Sequence, residues 1–174
     1  EIVSVISSKI DDISNYWNDD ASIRFIKGLD GINEEIYTSG TKKEYTTQTS
    51  GFKLIPVEKT FYYIVYSKKG NIEYITEIAA LKDFFGKINN AQEAALSAFL
   101  EGYFIDEHFT DVAANYYEDV KNYYLDLGKI TSKECPYQKK YFTLTVNKAT
   151  GEISNVKENG TYIEVYTKKC TNNP

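Results

Sequence analysis

Val3, Ile6, Ile10, Ile13 and Trp17 recur at alternating spacings of three and four residues. That period puts all five on one face of a helix over 3–17, where Asp19 and Asp20 end the pattern. Two heptads are too few for a coiled coil, so the helix either docks on its own sheet or is presented to a partner. Residues 34–57 read as irregular strands rich in Thr and Tyr. A hairpin follows: 61–67 (FYYIVYS) is aromatic and β-branched, 68–71 (KKGN) is turn chemistry, and 72–78 (IEYITEI) is the return strand. Residues 80–85 predict a helix stopped by Gly86. Asn90, with Glu93 three residues on, starts another in the manner of a capping box. Its apolar face is Leu96, Phe99, Leu100 and Tyr103, with Ala94, Ala95 and Ala98 allowing close packing.

The stretch 109–127 supports two readings. Phe109, Val112, Tyr116, Val120 and Tyr124 fit a helix closed by Gly128, whereas 122–131 (NYYLDLGKIT) has strand composition. The C-terminal part predicts a meander: 141–146, a turn at 147–151, 152–157, a turn at Glu158-Asn159-Gly160, then 161–166. Asn159-Gly160-Thr161 also matches an N-glycosylation sequon, although the turn accounts for Asn159 and Gly160 without a glycan. The expected class is α+β: antiparallel sheet meanders packed with a few amphipathic helices in a single compact domain, 1–174. Residues 61–75 and 141–156 share one layout, an aromatic strand, a Lys-and-Gly turn and a strand with Ile close after the turn. This suggests a duplicated helix-plus-sheet unit, 1–78 and 79–174.

Composition narrows the function. A chain of 174 residues can bury about 70% of its unfolded surface, so it needs no metal to fold. No apolar run approaches the roughly 18 residues of a spanning helix. Net charge is −5, from 25 acidic against 20 basic residues, which argues against nucleic acid as the partner. Arg24 is the only Arg, so bidentate guanidinium clamps for phosphate are nearly absent. One His and two Cys exclude a multi-histidine or zinc-ribbon site, and no nucleotide-binding glycine motif occurs, so no metal or cofactor is expected. The chain has no Met, even at position 1, and the expectation is that a leader was removed ahead of Glu1. In an exported protein Cys135 and Cys170 form a disulfide; in a cytosolic one they are two unrelated thiols.

Residues 81–103 (LKDFFGKINNAQEAALSAFLEGY) and 129–153 (KITSKECPYQKKYFTLTVNKATGEI) resemble segments of uncharacterised secreted or lipoprotein-type proteins of Bacteroidetes. There a helix of the N-x-x-E-A type precedes a Cys-Pro strand and a final hairpin. The resemblance implies an envelope or surface location, a small α+β fold and a strand at 122–131. It brings no activity and no functional residues.

Candidate chemistry is sparse. Asp106, Glu107, His108 and Asp111 are the one place where His and carboxylates cluster, and they fit a metal-assisted hydrolase or a solvated acidic loop. No G-x-S-x-G elbow is present, and Cys135 precedes Pro136 rather than a helix. The carboxylate pairs Asp11/Asp12, Glu34/Glu35 and Glu118/Asp119 are adjacent in sequence, the pattern of ordinary surface charge. The 16 Tyr, 9 Phe and Trp17 are the unusual feature, although coding bias inflates Tyr. On an exposed sheet face they could stack on sugar rings or bind protein. The candidate binding residues are Trp17, Tyr62, Tyr66, Tyr116, Tyr123 and Tyr141. The expected function is an exported, non-catalytic interaction module, an accessory subunit of an envelope or surface assembly with a protein partner. The alternative is a glycan or small-ligand binder using exposed Tyr clusters.

Overall fold

The computed structural model describes residues 2–17, 21–41, 43–55, 57–167 and 170. Glu1, Asp19 and Asp20 lie outside the described residues. The fold is α+β, with two four-stranded antiparallel sheets and a few helices. The chain divides into two compact units, Glu1–Gly86 and Lys87–Pro174. Among the described residues, no helix is long and apolar enough to cross a membrane.

The first unit runs α1 (Ile2–Ser14), β1 (Ser22–Leu29), β2 (Ile32–Gly40), β3 (Phe61–Lys68), β4 (Asn71–Ile75) and α2 (Ile78–Phe85). Its sheet order is β2-β1-β3-β4. α1 buries Ile6 and Ile10 as the periodicity requires, but it ends three residues before Trp17. There the Trp17 amide turns back to the Ser14 carbonyl at 2.9 Å. Both hairpins close with two-residue turns in which both central residues have positive φ, Asp30-Gly31 (48° and 81°) and Lys69-Gly70 (53° and 80°). That geometry matches the twist of paired strands and favours Gly at the second position. The return strand β4 stops at Ile75, and Ile78 opens α2 instead. α2 ends at Gly86, φ 55°.

β1 carries no alternation that sequence reading could use, because both of its faces are covered and almost every position is buried. On one face Tyr37, which pairs with Phe25, bonds Asp11 of α1, while Tyr66, which pairs with Ile23, packs on Phe84 of α2. On the other, Ile26, Tyr63 and Val65 are covered by Tyr45, Phe61 and Tyr74. The segment crossing that face has no regular structure. Tyrosyl hydroxyls hold it: the amides of Thr46 and Gln48 donate to Tyr74 and Tyr63 at 2.8 and 3.3 Å, and Tyr45 donates to Glu35 at 2.8 Å. Arg24 sits buried in mid-strand, donating Nη1 to the carbonyls of Ile23 and Ser39, both at 2.8 Å, with Nε 3.7 Å from Glu35.

The second unit runs α3 (Ala91–Phe99), α4 (Thr110–Ala113), β5 (Ala114–Glu118), β6 (Asn122–Ser132), β7 (Tyr137–Asn147) and β8 (Ile153–Val165), with sheet order β5-β6-β7-β8. Asn90 Oδ1 accepts from the Glu93 amide at 2.9 Å, and Glu93 Oε2 accepts from the Asn89 amide at 2.8 Å. This is the expected reciprocal cap, displaced by one residue on its return arm. Ala94 and Ala98 let α3 sit against Tyr123, Leu125, Leu127, Leu144 and Val146. The predicted helix face is therefore rotated: Leu96 and Tyr103 are buried, but Phe99 and Leu100 only half so.

One open reading is decided here and one expectation fails. Only Thr110–Ala113 of the stretch 109–127 is helical, and the rest is the β5–β6 hairpin. The strand reading of 122–131 holds, as β6. Asn159-Gly160 is not a turn. β8 is one continuous strand, whose register on β7 slips by one residue at three places, so that Asn159 and Tyr162 are extra residues in bulges. Gly160 (φ 131°) and Asn155 (φ 50°) carry the local distortion, and Asn159 Nδ2 donates to Thr143 Oγ1 at 2.7 Å. Bulges absorb the flexible residues because β7 extends far enough to pair with both halves of the strand.

The two similar hairpin sequences, 61–75 and 141–156, occupy corresponding places, since β3–β4 and β7–β8 each end their sheet. The preceding hairpins differ. β1 is interior and β2 is at the edge of the first sheet, whereas in the second β5 is at the edge and β6 interior.

Candidate interaction surface

The two edges of the second sheet are built differently. β8 is bulged three times and carries Lys157, Glu158 and Glu164, the devices that keep an edge from pairing further. β5 (ANYYE) is short, pairs with β6 without a register shift and is exposed along almost its whole length. Its pairing fixes which backbone groups are used. The Asp119 amide donates to the Asn122 carbonyl at 3.0 Å, and Phe104 and Gly128 exchange both bonds at 2.9 Å. By alternation the backbone groups of Asn115 and Tyr117 turn toward β6, and those of Ala114, Tyr116 and Glu118 turn outward. Tyr116 is 60% exposed, Tyr117 62% and Val120, at the hairpin tip, 93%.

The sheet face away from α3 is polar and aromatic. Tyr117 stacks on Tyr124 with ring centres 4.4 Å apart and planes 10° from parallel. The Tyr124 hydroxyl donates to Asp119 Oδ2 at 2.8 Å, and the amides of Lys121 and Asn122 donate to Oδ1, each at 2.7 Å. The Tyr124 hydroxyl and then these two amides hold the Asp119 carboxyl below its ordinary range. The same bond raises Tyr124. Beside the pair, Thr143 Oγ1 donates to Asp126 Oδ1 at 2.5 Å and accepts from Asn159.

At the far end of this face Asp106, 4% exposed, accepts from Lys139 Nζ at 2.8 Å, Tyr162 Oη at 2.9 Å and the His108 amide at 3.2 Å. Burial alone raises this carboxyl. The hydrogen bonds from Lys139, Tyr162 and His108 outweigh it and leave Asp106 below its ordinary value. Tyr162 is pushed well up, first by burial and then by its bond to the carboxylate. Of the predicted acidic cluster, Glu107, His108 and Asp111 are exposed, while Asp106 is committed to this knot. Among the described residues, no group of three His, Cys, Asp or Glu is arranged to hold a metal.

The predicted binding residues do not gather in one place. Trp17 and Tyr66 do meet, with centres 5.5 Å apart, but Phe84 packs against both and Lys68 Nζ lies 5.2 Å from the Trp17 ring centre. Trp17 also borders a cleft of about 200 Å³ with Ser14, Ser22 and Ser39. Tyr62 is core, packed with Phe25 and Phe52. Tyr123 is core under α3. Burial raises both hydroxyls. Tyr141 is half-buried, edge-on to Tyr162 at 6.4 Å. Tyr116 is the one of the six that stands open on a strand edge. Sequence reading missed the Tyr117–Tyr124 pair as a unit, because cross-strand contact depends on a register that strand composition does not reveal.

Cys135 and Cys170 form a disulfide with Cα atoms 5.2 Å apart, tying the segment after β8 to the β6–β7 connection. No protein-family model, no curated protein and no solved structure matches the chain.

Proposed function

We propose that the chain is a non-catalytic interaction module of an exported protein, an accessory subunit of an envelope or surface assembly, and that it receives an extended protein segment along β5. The observation that carries this is the contrast between the sheet edges. β8 is blunted by bulges and charge, while β5 is regular, exposed and aromatic, with backbone donors and acceptors facing outward. Strand addition takes its affinity from such groups and its specificity from alternate side chains. The disulfide supports an oxidising compartment. The commitment of Asp106 to Lys139 and Tyr162 supports a structural task for the acidic loop rather than hydrolysis. The test uses the tagged chain and its Tyr116→Pro variant side by side against an envelope extract. Pro removes an outward amide and is tolerated at an edge. A stoichiometric partner held by the parent chain and lost by the variant supports the reading. Equal retention by both overturns it.

A second reading, a glycan binder, is favoured by the exposed outer ring of the Tyr117–Tyr124 stack beside Asp126, Thr143 and Asn159. Calorimetry with neutral polysaccharides tests it. Heat that disappears in Tyr117→Ala supports this reading, and no heat with the parent chain removes it.

A further inference from the structure

We propose that Tyr117 and Tyr124 are a site of oxidative crosslinking, where a peroxidase acting with peroxide joins the two rings and staples β5 to β6. This stands whatever β5 receives. Tyr117 and Tyr124 are paired directly across the two strands. Both leave the same face of the sheet, with ring centres 4.4 Å apart and planes 10° from parallel. The ring carbons ortho to the two hydroxyls are therefore neighbours, and turning each ring about its Cβ–Cγ bond brings two of them together. That rotation leaves each hydroxyl oxygen on its axis, so the bond from Tyr124 to Asp119 survives it. Tyr117, 62% exposed, has room to turn. Tyr141 and Tyr162 are the other tyrosines in mutual ring contact among the described residues. They meet edge-on at 6.4 Å, and Phe109 packs on Tyr162 and takes up that room.

Each phenol gives up one electron and its hydroxyl proton and becomes a phenoxyl radical, with much of the unpaired electron on the ortho carbons. Two ortho carbons then form the C–C bond. Each loses its hydrogen as a proton, the phenolic oxygens regain theirs, and both rings are restored. The chain loses two hydrogens in all, and one hydrogen peroxide takes up the two electrons and two protons to become two waters. An oxidised phenol is far more acidic than any carboxylic acid. Asp119, which accepts from Tyr124 Oη at 2.8 Å, therefore takes that proton as the electron leaves, although the bonds from Tyr124 and two amides hold its carboxyl low. Those amides, of Lys121 and Asn122, keep the carboxylate in place. Two rings held in one chain meet at an effective concentration far above that of a second chain in micromolar solution, so the coupling stays within the chain.

The test treats the folded full chain, at low micromolar concentration, with a haem peroxidase and limiting hydrogen peroxide. Dityrosine fluorescence is expected at monomer mass, with the loss of two hydrogens. Lys121 lies between the two tyrosines, so trypsin separates them unless they are joined. The peptides 88–121 and 122–129 are expected as one linked species. Tyr117→Phe and Tyr124→Phe each keep a ring in the stack and lose the linked species, with an unchanged circular dichroism spectrum. Asp119→Asn still accepts the hydrogen bonds but cannot take the proton. It is expected to slow the coupling about tenfold, less than a buried general base contributes because water competes. Linked peptides that persist in Tyr117→Phe place the bond elsewhere and overturn the site. So does fluorescence confined to covalent dimers, or none under peroxide that couples free tyrosine. An unchanged rate in Asp119→Asn overturns the role given to Asp119.

Discussion

Tyr162 donates its hydroxyl hydrogen to Asp106 across 56 residues of sequence, at 2.9 Å. The residue that reaches so far is the extra residue of a β-bulge, turned by the bulge over the outer face of the sheet. With Lys139 it fastens the loop after α3 to that face. Breaking a buried pair from one side leaves its partner uncompensated. Asp106→Ala is expected to lower unfolding stability by about 3 kcal/mol and Tyr162→Phe by about 1 kcal/mol, read from urea midpoints. The folded carboxyl lies below its ordinary 3.8, so its contribution is complete well above that pH and is lost as pH falls through the folded value. The Asp106→Ala deficit therefore shrinks on acidification below about pH 4. A constant deficit from pH 7 to pH 2 would show that the charge is not what fastens the loop.

Gly128 is the seat of that hydroxyl. A Cβ there meets Tyr162 Oη and approaches the Phe104 ring to 2.9 Å. Gly128→Ala is expected to cost about 1–3 kcal/mol, the range for overpacking. In the Tyr162→Phe background the cost falls, because part of the obstruction is gone. Additive losses in the double variant would contradict this placement.

The disulfide closes a separation of 35 residues that contains the whole β7–β8 hairpin. Replacing both cysteines by Ser is expected to lower stability by about 2–4 kcal/mol, chiefly by freeing the unfolded chain. Thermal melts of the double variant, against the parent chain with and without reductant, check it. A parent melt unmoved by reductant would show that the bond contributes little.

Asn90 caps α3 and shares Glu93 with Asn89. Asn90→Ala is expected to cost about 1 kcal/mol and Asn90→Asp little, since Asp caps as well. Equal losses in the two variants would separate stability at this position from capping.

Local chemistry was legible where it acts over a few residues. The Lys69-Gly70 hairpin, the Gly86 stop, the Asn90–Glu93 cap and the α1 apolar face at Ile6 and Ile10 depend on neighbours within one turn. So the class of the fold could be read. β1 was not, because burial on both faces erases alternation and Arg24 interrupts its apolar run. Asp30-Gly31 was the available signal for it, a turn dipeptide of the same kind as Asn-Gly.

The sequence by itself determined the Lys69-Gly70 turn, the Asn90–Glu93 cap, the shortage of catalytic groups and a pair of cysteines fit to be joined. Only the tertiary structure decided that Asn159-Gly160 bends a strand instead of ending one, because that depends on whether β7 is there to pair with both halves. It also decided which tyrosines are mortar and which are surface. Tyr62, Tyr123, Tyr116 and Tyr117 each belong to a Tyr-Tyr pair, yet a central strand buries the first two and an edge exposes the others. Strand order is a contest among long-range pairings, and that contest separates core from contact surface in this chain.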